Sequence, residues 1–281
     1  MFELKLEKSW YDAIYRRSSV RKYTGAPDKA QLDRLGVLCR KLSWQGITVR
    51  MFKGPGLRSM VKGTDVYAVI VAKKGTPMEL EGFMGEALVL EATSMGLGAC
   101  WLGMGFYPEI IRRNVNLQND EEVHCVISLG KCEQPAFAPK RKELAKICGK
   151  TEEELAALGV WQKDAVLAAR LAPSAVNLQP WKIEADKNSV SILEASVIYK
   201  KYAPLDRGIA MLHAAARRCS RIQACSPSPA LRPAPRSPAG RSCPAQAGSG
   251  RRASACRSNC RQTAHTREIH YSRCGFQIPA C

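Results

Sequence analysis

The sequence predicts an α+β fold: a mixed central sheet flanked by helices, assembled from two related half-units of which the second is incomplete. Three observations lead there. Segments with helical spacing of apolar residues alternate with short β-branched runs between residues 10 and 213. A pattern of small and apolar residues returns at an offset of 123 positions. After His213 the hydrophobic patterning stops. The expected organisation is a first half over residues 1–150, an incomplete second half over 151–216, and a disordered tail over 217–281 that joins no folded domain.

Taken in order, residues 10–17 form the first expected helix, with Ser9 as its N-cap. Residues 28–42 form the second, because Leu32, Leu35, Leu38 and Leu42 fall at helical spacing. The runs 47–52 and 65–73 read as strands, the latter closed by Lys74, Gly75, Thr76 and Pro77. Residues 79–95 carry a long helix stopped by Gly96 and Gly98, and Glu86 and Glu91 read as solvated positions on it. Pro108 opens a short helix whose last turn holds Arg112 and Arg113, and 121–129 returns as a strand. Residues 140–148 read as a basic helix, Thr151 with Glu154 as a capping box, and 161–171 as a helix broken before Pro173. Two strands, 181–185 and 189–194, follow.

The repeat is visible where Gly85, Ala87, Leu88 and Val89 align with Gly208, Ala210, Met211 and Leu212. Val69 and Ile70 align with Ile192 and Leu193 at the same offset. A duplicated unit, in which neither half completes a core alone, would produce this echo. A second full copy would continue past His213 with a complete helix, a glycine stop and a closing strand.

The formal charge of +18 is unevenly spread, because the last 65 residues hold 12 Arg, no Lys and the single acid Glu268, leaving +7 on residues 1–216. A positive balance of that size suits anionic ligands such as phosphates and does not by itself indicate a polymer partner. Cys39, Cys100, Cys125, Cys132 and Cys148 stand in apolar stretches and read as small buried hydrophobes, while seven more crowd the tail. The tail's Arg, Ala, Ser, Pro, Cys and Gly cannot bury enough apolar area to offset chain entropy, and its abrupt loss of Lys resembles out-of-frame translation. Cys256, Cys260, His265 and His270 have spacings reminiscent of a zinc knuckle, but the gaps do not match one and chance in a Cys-rich stretch explains them better. No signal-like start is present, and apolar runs such as 66–72 are too short to span a bilayer, so a soluble cytoplasmic protein with no membrane partner is expected.

Three motifs could carry chemistry. Arg16, Arg17, Ser18, Ser19 and Arg21 stand just after a helix, where guanidinium forks and hydroxyls can converge on one phosphate, although a solvated basic turn has the same composition. The run Pro173-Ser174-Ala175-Val176-Asn177-Leu178-Gln179-Pro180-Trp181 concentrates short polar groups between two prolines, as a buried structural turn would also do. Gly96-Leu97-Gly98-Ala99-Cys100-Trp101-Leu102-Gly103 is small enough for backbone to approach a flat ligand, or it is only a helix C-cap. His124 and His213 read as structural, without a nucleophile or ligand cluster at useful spacing.

Together the three motifs resemble the nitroreductase family. Arg17, Ser19 and Arg21 match its Arg-x-Ser-x-Arg start, and the loop matches its Pro-Ser-x-x-Asn-x-Gln-Pro-Trp. Because the loop arrives only near residue 173, the chain looks like the branch with two fused halves forming a pseudo-dimer in one chain. The resemblance implies FMN as cofactor and NADH or NADPH as co-substrate, with hydride passed through the flavin to a nitro compound, quinone or similar small-molecule acceptor. It implies that Arg17, Ser19 and Arg21 hold the phosphate and ribityl region, with Arg16 and Ser18 as neighbours and Lys140 or Arg141 as a further phosphate partner. Pro173, Ser174, Ala175, Asn177 and Gln179 would approach the isoalloxazine, and backbone at Leu102, Gly103 and Met104 would lie near its reactive edge. No protein catalytic residue and no metal are implied, since the flavin carries the chemistry. The family's late segments close its interface, so their loss implies exposed apolar surface over 206–212. A monomeric pseudo-dimer or a homodimer would complete the site. Two other readings stay open at this point: a noncatalytic basic nucleic-acid-binding protein, and an inactive truncated paralogue of the flavoenzyme.

Overall fold

The computed structural model describes residues 2–4, 6–54, 61–133, 140–195, 201–217, 222–224, 268–272 and 275–279, which belong to one unit formed by Met1–Cys225 and Arg267–Cys281. In chain order the elements are β1 (Phe2–Leu4), α1 (Lys8–Arg16), α2 (Lys29–Lys41), β2 (Ile47–Lys53), β3 (Val66–Lys73), α3 (Met78–Ser94), β4 (Leu97–Leu102), α4 (Pro108–Val115) and β5 (Glu121–Lys131). They continue as α5 (Leu144–Cys148), α6 (Glu152–Leu158), α7 (Val160–Arg170), a 3-10 turn (Ala175–Asn177), β6 (Trp181–Ala185), β7 (Ser189–Glu194), α8 (Ala203–Ala216), β8 (Ile222–Ala224), β9 (Glu268–Ser272) and β10 (Gly275–Pro279).

The first sheet has the order β2-β3-β5-β4 and is antiparallel throughout. Its strand β3 is buried along almost its whole length because both faces are covered. Successive side chains point to opposite faces. Ala68 and Ile70 therefore join Ile127 and Leu129 in the main core with α3, while Tyr67, Val69 and Val71 join Val126, Ile111 and Val115 against α4. Parallel bridges from the basic segment join Ser19 to Ala99 and Lys22 to Lys62, the first laying it along the edge strand β4.

A second sheet has the order β1-β8-β9-β10-β7-β6. Its β6–β7 hairpin turns where the Asp186 carboxylate accepts from the Asn188 and Ser189 N–H groups at 2.6 and 2.8 Å. Strands β8, β9 and β10 come from the stretch expected to have no structure; β10 pairs antiparallel with β7, and β8 runs parallel to β9. The rest of the tail, with Cys256, Cys260 and His265, lies outside the described residues.

The two central helices, α3 and α8, meet backbone to backbone. A Cβ on Gly82 would stand 2.0 Å from the Leu205 carbonyl oxygen, and one on Gly208 would stand 1.9 Å from that of Glu79, so no larger residue fits at either crossing point. This contact buries Ile209, Ala210, Met211 and Leu212, overturning the expectation of exposed apolar surface over 206–212. The helix α3 is buried from Gly82 to Ala92, which also overturns the solvated reading of Glu86 and Glu91. Its carboxylates find partners on other elements: Glu91 accepts from Trp10 Nε1 at 2.6 Å and pairs with Arg34, Glu79 pairs with Arg207, and Glu81 bonds His124 through Oε1 while its Oε2 stays buried without a hydrogen bond. Sequence periodicity missed this because acids on a wholly buried helix look like its solvent face.

Three local expectations change, and one further strand is new. The N-cap of α1 is Glu7 rather than Ser9, and it makes no side-chain cap. The basic helix begins at Leu144 rather than 140, and the Lys142 N–H ahead of it donates to Gln179 Oε1. The glycine-rich run 97–102 is the strand β4, whose alternation is hidden where Gly98 leaves room for Val20 and Cys132. Strand β1 carried no sequence signal. No helix among the described residues is long and apolar enough to cross a membrane.

Candidate functional site

Segments far apart in sequence converge on one cavity of about 490 Å³. Ser19 and Arg21 reach it from the stretch after α1, and Trp101, Leu102, Gly103 and Met104 from the end of β4. Pro173, Ser174, Ala175 and Val176 line it from the proline loop. Cys125 of β5 and Leu205, Asp206 and Ile209 of α8 complete the wall, together with Tyr202 just before that helix.

The first segment is docked by its backbone. Val20 N–H donates to Ala99 O at 3.0 Å, Tyr23 N–H to Lys62 O and Thr24 N–H to Lys131 O, each at 2.8 Å. Edge strands present unpaired groups for such docking, and β4 is an edge. Period-two alternation then turns Ser19 and Arg21 to the cavity. The Arg21 guanidinium forms no salt bridge with the described residues.

Arg17 points elsewhere. Its side chain is 3% exposed and its Nε lies 3.7 Å from Glu86 Oε1, too far for a hydrogen bond, so that Nε is buried without a hydrogen-bond partner. Burial pushes the guanidinium below its usual value and the Glu86 carboxylate opposes the shift. Glu86 also accepts from Trp101 Nε1 at 2.7 Å and faces His213 Nε2 at 2.9 Å, while His213 Nδ1 meets Ala168 O at 3.1 Å. The structural reading of His213 holds. Arg16 and Ser18 border a separate small crevice with Gly96, Gly98 and Cys132.

The proline loop is built by side chains. Ser174 Oγ accepts from Gln179 N–H at 2.8 Å; buried Gln179 accepts from Lys142 N–H at 2.8 Å through Oε1, and its carbonyl accepts from Lys142 Nζ at 3.1 Å. Arg141 Nη1 donates to Asn177 Oδ1 at 3.0 Å, and Asn177 Nδ2 donates to Lys140 O at 2.9 Å. Asn177, Gln179, Lys140 and Arg141 thus shape the loop and do not line the cavity. Arg141 is pushed down to about 10, by burial first and then by the charge of Arg17. The loop carries positive φ at Val176 (44°), Asn177 (58°) and Gln179 (46°), a conformation unfavourable for the β-branched Val176 above all.

Sequence reasoning named Trp101 and Val176 only as members of their motifs and missed Cys125, Tyr202, Leu205, Asp206 and Ile209. Tyr202 donates its hydroxyl to Gly103 O, tying α8 to the end of β4. Asp206 is 4% exposed, and both of its oxygens lie 3.1 Å from Ala175 N–H. Burial pushes its carboxyl up to about 7. The only signal for it was an acid beside Arg207 at the start of a largely apolar helical stretch. The cavity therefore joins hydroxyl and guanidinium groups to an apolar wall, with one buried carboxyl between.

The sequence pattern of the family described as "Putative TM nitroreductase" matches residues 9–217. Among solved structures, a "putative nitroreductase" from Thermotoga maritima is 26% identical, covers 74% of this chain and 82% of its own, and superposes with a TM-score of 0.54. An NADH dehydrogenase/NAD(P)H nitroreductase from Parabacteroides distasonis, so described as "putative", is 23% identical over 50% of this chain and 97% of its own, with a TM-score of 0.42. An FMN-dependent nitroreductase from Clostridium difficile is 19% identical over 46% and 90%, with a TM-score of 0.39. No curated protein matches the chain.

Proposed function

Because the chain belongs to the nitroreductase family over residues 9–217, we propose that it is an FMN-dependent oxidoreductase that takes hydride from NADH or NADPH and reduces a nitro compound, quinone or similar small acceptor. The observation that carries this reading is the convergence of Ser19 and Arg21, the end of β4 and the proline loop on one cavity of about 490 Å³. Pockets for small ligands run from roughly 300 to 1,000 Å³.

The residues suit a flavin mononucleotide. Arg21, with Ser19 beside it, offers an unengaged guanidinium among the described residues for a phosphate dianion. Trp101, Leu102, Leu205 and Ile209 offer an apolar wall for a flat ring. When bound, the flavin supplies the two-electron chemistry at its N5. The protein's part is to hold the phosphate through Arg21 and Ser19, to present backbone at Leu102, Gly103 and Met104 to the ring edge, and to cover the ring with Pro173, Ser174 and Ala175. Arg141, Lys140, Asn177 and Gln179 act behind them by fixing the loop.

One chain supplies all of these segments, which favours a monomeric pseudo-dimer over a homodimer. The meeting of Gly82 with Leu205, two positions themselves 123 apart, supports the reading of related halves packed about this contact.

Purified from flavin-replete cells, the protein should be yellow and release FMN on denaturation. Arg21→Ala should weaken FMN binding by about tenfold or more, as loss of a charge-assisted phosphate contact does. A colourless protein with no affinity for micromolar FMN would sink the reading.

A further inference from the structure

We propose that Asp206 is the proton donor of the cavity, held there as a carboxylic acid that protonates the acceptor as hydride reaches it. This deepens the flavoenzyme reading and rests on it. The geometry comes first: Asp206 lines the cavity, is 4% exposed, and has the Ala175 N–H as its hydrogen-bond donor, shared by both oxygens at 3.1 Å. No described residue forms a salt bridge with it. The adjacent guanidinium of Arg207 is engaged by Glu79 and Glu194.

A buried carboxylate with one neutral donor and no cation is poorly solvated, so the protonated form is favoured. The groups around it do not reverse this. Cys125 of β5 faces it as a thiol that burial keeps protonated, with Glu81 of α3 and Asp206 adding to that shift and Lys201 opposing it. Ser174 faces it from the loop, Tyr202 from the start of its own helix, and Ser19 and Arg21 stand across the cavity. The carboxyl's rise to about 7 agrees with this balance, burial being the larger cause and the Ala175 N–H opposing it. A cavity-lining acid that keeps its proton near neutrality can both donate a hydrogen bond and give up the proton.

The step balances. For a quinone, hydride originating from NADH or NADPH brings two electrons and one hydrogen and leaves one oxygen anionic. The Asp206 O–H bond then breaks, its electron pair stays on the carboxylate, and the proton forms a new O–H bond on that oxygen to give the hydroquinone. Solvent returns the proton to Asp206 between turnovers.

Asp206→Asn tests this, since an amide oxygen still accepts from Ala175 N–H but the side chain has no acidic proton to give. In protein without acceptor, the wild type should show an infrared carboxyl C=O band that disappears as pH rises through about 7, and Asp206→Asn should lack it. With flavin bound, rapid mixing should show reoxidation by a quinone slowed about 100-fold and stripped of its pH dependence, a much larger loss than in reduction by NADH. In the wild type reoxidation should fall about tenfold per pH unit above 7, which serves as the test should the variant not fold. A band that survives in Asp206→Asn, equal slowing of both half-reactions, or a flat wild-type profile overturns the assignment. Failure of the wild type to bind FMN would overturn the flavoenzyme reading instead, and the infrared titration would still report on Asp206.

Discussion

The two segments that face each other across the cavity are held by different physics. The stretch carrying Ser19 and Arg21 is pinned by main-chain bonds to Ala99, Lys62 and Lys131. The proline loop is pinned by side chains, namely Lys142 and Arg141 from before α5, Gln179 and Asn177 from within, and Asp206 from α8. Main-chain docking is indifferent to most substitutions because every residue except proline carries the same N–H and C=O. A side-chain network fails when one member goes, leaving buried partners unsatisfied. The first segment should therefore tolerate change in its own residues and the loop should not.

Glu86 is where the comparison breaks down, because it lies under both. It pairs with Arg17 just before the first segment and with His213 on α8, the helix whose Asp206 holds the loop. It also anchors Trp101 on the cavity wall. Glu86→Ala should cost about 3–5 kcal/mol, the range for removing one partner of a buried ion pair. Denaturant unfolding measures it, and a loss below about 1 kcal/mol would mean that Arg17 and His213 do not depend on this carboxylate.

Gln179→Ala sharpens the contrast. It leaves the Lys142 N–H without its acceptor and removes a donor to the Asn177 carbonyl, so a cost of about 1–3 kcal/mol is expected. Amide exchange at Asn177 and Leu178 should quicken while Val20, Tyr23 and Thr24 keep their protection. Equal quickening in both places would show that the two segments are one cooperative unit.

The same difference explains what was legible in the sequence. Elements defined by one period were: β6, β7 and the Thr151 capping box fall where propensity and pattern put them, and α2 begins on Asp28 with a capping box to Gln31. The motif residues Ser19, Arg21, Pro173 and Ser174 do share a cavity. Hidden were features decided by tertiary partners. Gly98 disguised an edge strand because its missing side chain makes room for Val20, and Glu86 and Glu91 imitated a wet face because their partners lie on α1, α2, β4 and α8. Asn177 and Gln179 were assigned to ligand contact on the strength of a motif, yet in the fold they face Arg141 and Lys142. A motif gives residue types at a place; which neighbour each one satisfies is settled only by packing.

Val176 offers the smallest effect and a sign opposite to the others. It is 80% exposed with φ 44° and ψ 28°, so its side chain buries little while its backbone sits in the left-handed region. That conformation costs a β-branched residue about 1–2 kcal/mol, and glycine adopts it freely at an entropic cost of about 0.5–1 kcal/mol. Val176→Gly should therefore raise the unfolding free energy by up to about 1 kcal/mol. The side-chain network of Arg141, Gln179 and Asp206 holds valine in that conformation, helped on the main chain by the turn bonds of Asn177 N–H to Ser174 O and Leu178 N–H to Ala175 O. If Val176→Gly instead destabilises the protein, the exposed valine makes contacts that outweigh its strain, and the loop would be held partly by packing at the cavity rim.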